Sequence, residues 1–122
     1  MSEKDRKIRV AISIGDYNGI GIEVILKTLQ EKEITELFTP VIFGSTKLLS
    51  FQKDRLKFDK INFQGIQDAN QIVDGKINVV NLWKDQIDVH FGKVTKEAGE
   101  HAYQSLKAAA QSVTDGFTDV LV

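Results

Sequence analysis

The seven residues from Gly15 to Gly21 are the segment most able to do chemistry, because three are glycines and two others, Asp16 and Asn18, are polar. The segment follows an apolar run with strand-like alternation and precedes one with helical spacing. A glycine-rich turn in that position can bring backbone N–H groups close to an anion, aided by the dipole of the following helix. The same glycines also suit a tight turn that packs helix against sheet. A ligand-facing loop and a structural turn therefore both remain open.

The standard nucleotide-binding patterns do not fit this loop. A dinucleotide fingerprint needs G-x-G-x-x-G, but counted from Gly19 the third glycine position is Val24. The next predicted strand ends at Phe43-Gly44-Ser45, without the acidic residue that the fingerprint requires there. A P-loop pattern, G-x-x-x-x-G-K-[ST], occurs nowhere in the chain. The pattern alone therefore assigns no nucleotide to the loop.

The remaining reactive residue types form no catalytic or metal-binding constellation in the sequence. His90 and His101 are eleven residues apart, farther than the i, i+4 spacing of typical metal-ligand pairs. His101 lies off the apolar stripe of its predicted helix, so we expect it to face solvent. Asp85 and Asp88 lie in a connecting segment, where we expect solvated carboxylates. No nucleophile motif surrounds Ser13, Ser45 or Ser105.

The hydrophobic spacing alternates between the periods of strands and helices. Strands are predicted around residues 8–14, 41–43, 61–63, 77–80 and 117–122. A helix is predicted over 21–32, and a second one, capped by Ser45 or Thr46, carries Leu48, Leu49 and Leu56. Residues 1–7 form a polar leader, 68–73 a helical turn and 81–92 a connection. This alternation predicts an α/β fold, a mostly parallel sheet with helices on both faces.

The clearest helix is a long one near the end of the chain. Thr95 is its predicted N-cap, and Gly116 its predicted end. Its predicted buried stripe consists of Ala98, Ala102, Leu106, Ala109 and Val113. Gly99 interrupts the helix at a cost of up to about 1 kcal/mol relative to alanine, so we expect a neighbouring element to approach it closely.

Composition limits the class of protein and its partners. The 122 residues are 42% hydrophobic and 27% charged, values typical of a globular domain rather than a disordered or fibrous chain. The net charge of −1 gives no basic footprint for nucleic acid, and no apolar run approaches the length of a membrane helix. The absence of cysteine excludes a thiolate site and fits a reducing compartment. We expect a cytoplasmic protein without a nucleic-acid or membrane partner.

Three motifs carry a resemblance to a known enzyme family. Residues 12–23, I-S-I-G-D-Y-N-G-I-G-I-E, resemble the T-x-G-D-P-A-G-I-G-P-E opening of the 4-hydroxythreonine-4-phosphate dehydrogenase family. Residues 92–99, G-K-V-T-K-E-A-G, are similar to the family's G-K-x-S/T-x-E-A-G at the start of its long helix. Residues 119–122 resemble the strand that leads into the family's T-x-P-I-N-K loop. The motifs occur in order along essentially the whole chain, and isocitrate and isopropylmalate dehydrogenases share the first one in looser form.

The resemblance implies an isocitrate/isopropylmalate dehydrogenase-like fold and an enzyme of pyridoxal 5′-phosphate (vitamin B6) biosynthesis. Family members oxidise 4-hydroxy-L-threonine phosphate with NAD or NADP, use a divalent metal (zinc, magnesium or cobalt) and are homodimers. Their metal-binding histidines and most cofactor contacts lie beyond the position that matches Val122, so no metal ligand or catalytic residue transfers to this chain. The residues that transfer line the cleft in the family and are Gly15, Asp16, Asn18, Gly19, Gly21 and Glu23.

Two departures from the family pattern affect the loop. Tyr17 and Ile22 replace prolines, which removes two φ restraints, and Asn18 stands where a small residue is usual. A related phosphorylated hydroxy acid is therefore an alternative substrate.

The predicted last strand stops where a ligand loop should begin, so we expect the N-terminal part of a longer enzyme. We expect this part to be inactive alone and prone to self-association through uncovered apolar faces. A self-contained flavodoxin-like regulatory or ligand-binding module and a purely structural module are the alternatives.

Overall fold

A parallel sheet forms the centre of the structure, a computed structural model that describes residues 6–84 and 87–122. Within these residues the strands are β1 (Ile8–Ser13), β2 (Phe38–Gly44), β3 (Phe63–Ile66), β4 (Ile77–Asn81) and β5 (Val120–Leu121). Their order across the sheet is β3-β4-β2-β1-β5, and every neighbouring pair is parallel. The predicted α/β fold with a parallel sheet is confirmed.

The helices are α1 (Gly21–Leu29), α2 (Lys32–Leu37), α3 (Thr46–Leu56) and α4 (Lys96–Thr114). The helix predicted over 21–32 is correct as far as Leu29 but wrong in its last three residues, because the extended backbone of Glu31 separates α1 from α2. α2 was not predicted. It contains no buried residue and therefore leaves no apolar periodicity to detect.

Alternate residues of the strands face two separate cores, as the two-residue period of a strand requires. Ile12, Ile42 and Val79 pack with buried residues of α1 and α3 on one face. Their neighbours Ala11, Val41 and Val80 pack with Ala109 of α4 on the other. The sheet is therefore covered on both faces, as predicted.

The elements between β2 and β4 lie close to their predicted positions. Ser45 caps α3, and its Oγ accepts a hydrogen bond from the Leu48 N–H at 3.4 Å. β3 begins at Phe63 rather than Ile61, although the Ile61 side chain is buried in the core. The predicted helical turn over 68–73 is a 3-10 turn, Ala69–Gln71, closed by a capping box at Asp68.

α4 begins and ends as predicted but buries a different stripe. The Thr95 Oγ1 accepts from the Ala98 N–H at 3.1 Å, and Gly116 ends the helix with φ at +81°. The prediction that Leu106 is buried is wrong, since its side chain is 48% exposed. The fully buried positions are Ala98, Ser105, Ala109 and Ser112.

Small side chains on the buried face let α4 lie close to the sheet, and the serines satisfy their hydroxyls internally. The Ser105 Oγ donates to the Phe43 carbonyl at 2.6 Å and accepts from the Ile14 N–H at 3.0 Å. The expectation for Gly99 is also wrong, because a Cβ built there would meet no other atom of the described residues within 4 Å.

Two ion pairs fix the edge of the sheet where the strands begin. Arg6 binds Asp119 and Arg9 binds Asp74, each at 2.8 Å. Hydrogen bonding by Arg6 lowers the pKa of Asp119, and hydrogen bonding by Arg9 lowers the pKa of Asp74. None of the helices in the described part of the chain combines the length and the hydropathy needed to cross a membrane.

Candidate functional site

The glycine loop, residues 15–21, begins where β1 ends and leads into α1. Gly15 has φ at +64°, a left-handed conformation that favours glycine. A Cβ at Gly19 would lie 3.4 Å from the Asp16 carbonyl oxygen, and one at Gly21 would lie 3.4 Å from that of Ile14. Of the three glycines, Gly15 is therefore favoured by its backbone conformation, whereas a Cβ at Gly19 or Gly21 would make only ordinary contacts, and all three residues are exposed to solvent.

Tyr17 anchors one side of the loop to α4. Its side chain is buried, and its hydroxyl shares a hydrogen bond of 3.1 Å with Nδ1 of His101. The prediction that His101 faces solvent is wrong, because its ring lies between Tyr17 and Trp83, with the Trp83 ring edge-on at 4.5 Å. Trp83 in turn donates from Nε1 to the Gln104 side chain.

The Tyr17 hydroxyl stays protonated at neutral pH. Burial raises the pKa of Tyr17, and the carboxylates of Glu97, Asp16 and Asp88 raise it further. The tyrosine is therefore a neutral structural anchor and not a base.

Asn18 anchors the other side of the loop to the connecting segment 87–95. The residue is buried, and its Oδ1 accepts from the His90 N–H at 2.7 Å while its Nδ2 donates to the Thr95 Oγ1 at 3.3 Å. Its carbonyl accepts from the Gly92 N–H at 2.8 Å. Thus two adjacent loop residues, 17 and 18, point inward and hold the loop in place.

Asp16 and the start of α1 are the parts of the loop that face outward. One Asp16 carboxylate oxygen accepts from the Asn18 N–H at 2.8 Å, and the residue is otherwise exposed. Ile20, the N-cap of α1, supplies no side-chain hydrogen bond to the first turn. The loop therefore offers a carboxylate that can accept from a hydroxyl beside uncapped amides that can bind an anion.

The N-terminus of α3, the helix that follows β2, differs from that of α1 because a side chain of the protein binds its first amide. The Asn81 Oδ1 accepts at 2.7 Å from both the N–H and the hydroxyl of Thr46 at the start of α3. Asn81 ends β4, so this bond joins the carboxyl ends of two neighbouring strands. Sequence reasoning missed it, because the two residues are 35 positions apart.

Beside this edge lies a cavity of about 360 Å³ between α3 and the segment 87–90. Its polar groups are Lys47, Asp88 and His90, and its apolar lining comes from Leu48, Phe51, Ile87 and Val89. Sequence reasoning did not find this cavity because the segment that forms one wall has no periodicity. The His90 N–H bond to Asn18 connects this wall directly to the glycine loop.

The described residues do not fit a metal centre. Among residues 6–84 and 87–122, no group of three or more histidine, cysteine or carboxylate side chains could hold a metal ion. His101 directs Nδ1 at Tyr17, and His90 is engaged through its backbone. Asp85 lies outside the described residues, so the predicted character of the 85/88 pair stays a prediction.

Comparison with known proteins gives a consistent result. A family model for the pyridoxal phosphate biosynthetic protein PdxA matches residues 36–122. The 4-hydroxythreonine-4-phosphate dehydrogenase of Bacteroides thetaiotaomicron is 37% identical over 98% of this chain and 32% of its own length. A relative from Oceanobacillus iheyensis with the provisional name D-threonate 4-phosphate dehydrogenase is 29% identical over 91% of this chain and 34% of its own length.

The fold is also found among solved structures. A crystal structure of a 4-hydroxythreonine-4-phosphate dehydrogenase from Burkholderia phymatum matches with a TM-score of 0.84 and 26% identity, over 96% of this chain and 36% of that one. The chain thus spans about a third of the length of the relatives it matches.

Proposed function

Because this chain belongs to the family of the pyridoxal phosphate biosynthetic protein PdxA, we propose that it forms one wall of the active-site cleft of an NAD- or NADP-dependent dehydrogenase. The substrate is 4-hydroxy-L-threonine phosphate or a related phosphorylated hydroxy acid. Two different phosphorylated substrates are named for the relatives, which supports the wider substrate class. We place the enzyme in the cytoplasm and in the biosynthesis of pyridoxal 5′-phosphate.

The observation that carries this proposal is the outward side of the glycine loop. Gly19, Ile20 and Gly21 are exposed at the uncapped N-terminus of α1, at the end of the sheet where open α/β folds bind ligands. The N–H groups of Ile20 and Gly21 would hold an anionic group, the pyrophosphate of the dinucleotide or the phosphate of the substrate, whereas the Gly19 N–H already donates to the Asp16 carbonyl at 3.0 Å. Asp16, a carboxylate, suits a ribose or substrate hydroxyl rather than a phosphate.

The chain's own residues bind and orient, and the oxidation itself depends on other groups. A bound nicotinamide cofactor would supply the hydride acceptor for conversion of the substrate alcohol to a carbonyl. Tyr17 and Asn18 keep the loop in the conformation that presents Asp16 and the α1 amides. The described residues do not fit the divalent metal, so we derive no step through it.

Two finer proposals follow from the family and the extent of the chain. The 122-residue polypeptide alone does not turn over substrate, and the active enzyme is a homodimer. We prefer this function to a flavodoxin-like receiver module, because the family model matches residues 36–122 and β3, with the sequence F-Q-G-I, lacks the aspartate that a receiver would carry at the end of its third strand.

The test is an NMR titration of the ¹⁵N-labelled chain with NAD⁺, NADP⁺ and 4-hydroxy-L-threonine phosphate. We expect shifts at the amides of Gly19, Ile20 and Gly21, weakened by Asp16→Asn and unchanged by Glu33→Gln, an exposed acid on α2. The proposal fails if none of the three compounds shifts these amides. Robust turnover by this polypeptide would contradict the proposed inactivity.

A further inference from the structure

Asn18 connects two segments of the cleft wall that no secondary structure joins. All four of its polar groups are bonded: the N–H to Asp16 Oδ1, the carbonyl to the Gly92 N–H, Oδ1 to the His90 N–H and Nδ2 to Thr95 Oγ1. The partners at 90 and 95 are 72 and 77 residues away along the chain. The residue itself is 2% exposed, so these bonds are shielded from competing water.

The segment 87–95 is held by hydrogen bonds to Asn18 and by the partly buried side chains of Ile87 and Val89, which pack against the core. It contains no helix or strand, and its backbone bonds within the described residues include a turn in which the Lys93 N–H donates to the His90 carbonyl. Phe91, which is 47% exposed, lies 4.5 Å from the Arg55 guanidinium of α3. Asn18 is the buried hydrogen-bonding partner of this segment, and the Phe91–Arg55 contact is an exposed one.

We infer that Asn18 is a positioning residue that makes the glycine loop and the segment 87–95 move as one unit. The loop is then coupled to the cavity beside α3, because His90, whose N–H binds Asn18, lies in the wall formed by residues 87–90. A ligand held at the α1 N-terminus would be sensed at Val89 and His90. This ligand effect rests on the proposed function, whereas the coupling itself rests on the hydrogen bonds alone.

Amide hydrogen exchange of the labelled 122-residue chain tests the coupling directly. In Asn18→Ala the His90 N–H loses its acceptor, so its exchange should rise by about ten-fold or more, while Ile42 and Val79 in the sheet keep their rates. The Gly92 N–H keeps its backbone acceptor at residue 18, so a smaller rise there reports that the two segments have separated. Asn18→Asp keeps an oxygen acceptor and should largely restore the protection of His90. Asn62→Ala, at an exposed asparagine before β3, is the matched control and should change neither amide.

Two results would overturn the inference. One is unchanged exchange at His90 in Asn18→Ala, and the other is an equal rise at His90, Gly92, Ile42 and Val79, which would indicate a loss of global stability only. A rate at His90 in Asn18→Asp as high as in Asn18→Ala would also contradict the assigned acceptor role.

NAD⁺ serves as the probe for the ligand effect. In the unsubstituted chain it should shift the amides of Val89 and His90 together with that of Gly19, and in Asn18→Ala it should shift Gly19 alone. Shifts at Gly19 without any at His90 in the unsubstituted chain would contradict the coupling. If NAD⁺ shifts none of these amides, the proposed function fails for this cofactor, and the exchange rates alone decide the coupling.

Discussion

The Tyr17 hydroxyl lies 3.1 Å from Nδ1 of His101, which ties the glycine loop to a helix that begins 75 or more residues later in the chain. In the family motif that residues 12–23 resemble, a proline takes the place of Tyr17. A proline would restrain φ at this turn, whereas this chain restrains the loop by burying a side chain and bonding it to α4. The loop is thus held by tertiary contacts rather than by its local backbone.

Tyr17→Phe should therefore destabilise the fold while keeping its core packed. The substitution keeps the buried ring but removes the hydroxyl, so we expect a loss of about 1 kcal/mol in the free energy of unfolding. Urea unfolding followed by Trp83 fluorescence measures this loss. Tyr103→Phe, at a tyrosine that is 66% exposed on the same helix, should change stability little. Equal effects of the two substitutions would contradict the anchoring role of Tyr17.

Ser105→Ala should have a larger effect, because it removes a bridge between two backbone groups. The hydroxyl satisfies both the Ile14 N–H and the Phe43 carbonyl inside the structure. Leaving these groups without their partner should cost about 1–3 kcal/mol of unfolding free energy. Thr114→Ala, at an exposed residue of the same helix, is the control. A near-neutral Ser105→Ala would show that the bridge adds little to stability.

The free energy of unfolding should fall at acidic pH, because protonation of Asp74 and Asp119 removes the two ion pairs at the edge where the strands begin. Hydrogen bonds from Arg9 and Arg6 lower the pKa of Asp74 and Asp119 below the ordinary value of 3.8. A lowered pKa in the folded state means that these pairs stabilise the fold at neutral pH. That stabilisation is lost as pH falls through the ordinary value and then the lowered ones.

The double variant Asp74→Asn/Asp119→Asn measures this contribution. Both carboxylates are partly exposed, so we expect each pair to contribute at most about 1 kcal/mol. Chemical unfolding between neutral pH and pH about 3 should show a shallower loss of stability in the variant than in the unsubstituted chain. Parallel curves for the two proteins would contradict a role for these pairs in the pH dependence.

The polypeptide should self-associate through the β5 side of the sheet. An apolar groove of about 240 Å³ lies there, and its lining includes Val10, Ile12, Val24, Ile25 and Val122. Apolar surface of this kind favours association. Sedimentation velocity should therefore show oligomers that weaken in Val24→Lys and persist in Val94→Lys, a control residue that is 95% exposed. A monomer at every concentration would contradict this prediction.

Local features of the sequence were sufficient to predict the elements whose signals lie within a few neighbouring residues. The alternation at 8–14 and the Thr95 and Gly116 signals predicted β1 and the limits of α4, because these features depend on neighbouring residues alone. The burial of Ser105 in place of Leu106 could not be predicted, since it depends on how closely α4 lies to the sheet. α2 escaped prediction because it buries nothing.

The candidate site could likewise be predicted from the sequence only in part. The loop was found from its glycines, and its cleft-lining role came from the family resemblance. The inward direction of Tyr17 and Asn18 could not be read from spacing, because their partners at 90, 95 and 101 are brought to them only by the crossover from β4 to β5. Helical spacing placed His101 off the apolar stripe, but a side chain from the loop covers it.

The most direct test of the proposed function is turnover by a chimera in which these 122 residues replace the matching part of the Bacteroides thetaiotaomicron 4-hydroxythreonine-4-phosphate dehydrogenase. Reduced cofactor is followed by absorbance with 4-hydroxy-L-threonine phosphate and either NAD⁺ or NADP⁺. We predict turnover that Asp16→Asn reduces by about ten-fold or more, the effect of losing one hydrogen bond to a charged group, and that Glu33→Gln leaves unchanged. A folded, soluble chimera that forms no reduced cofactor with this substrate or with D-threonate 4-phosphate would contradict the proposal.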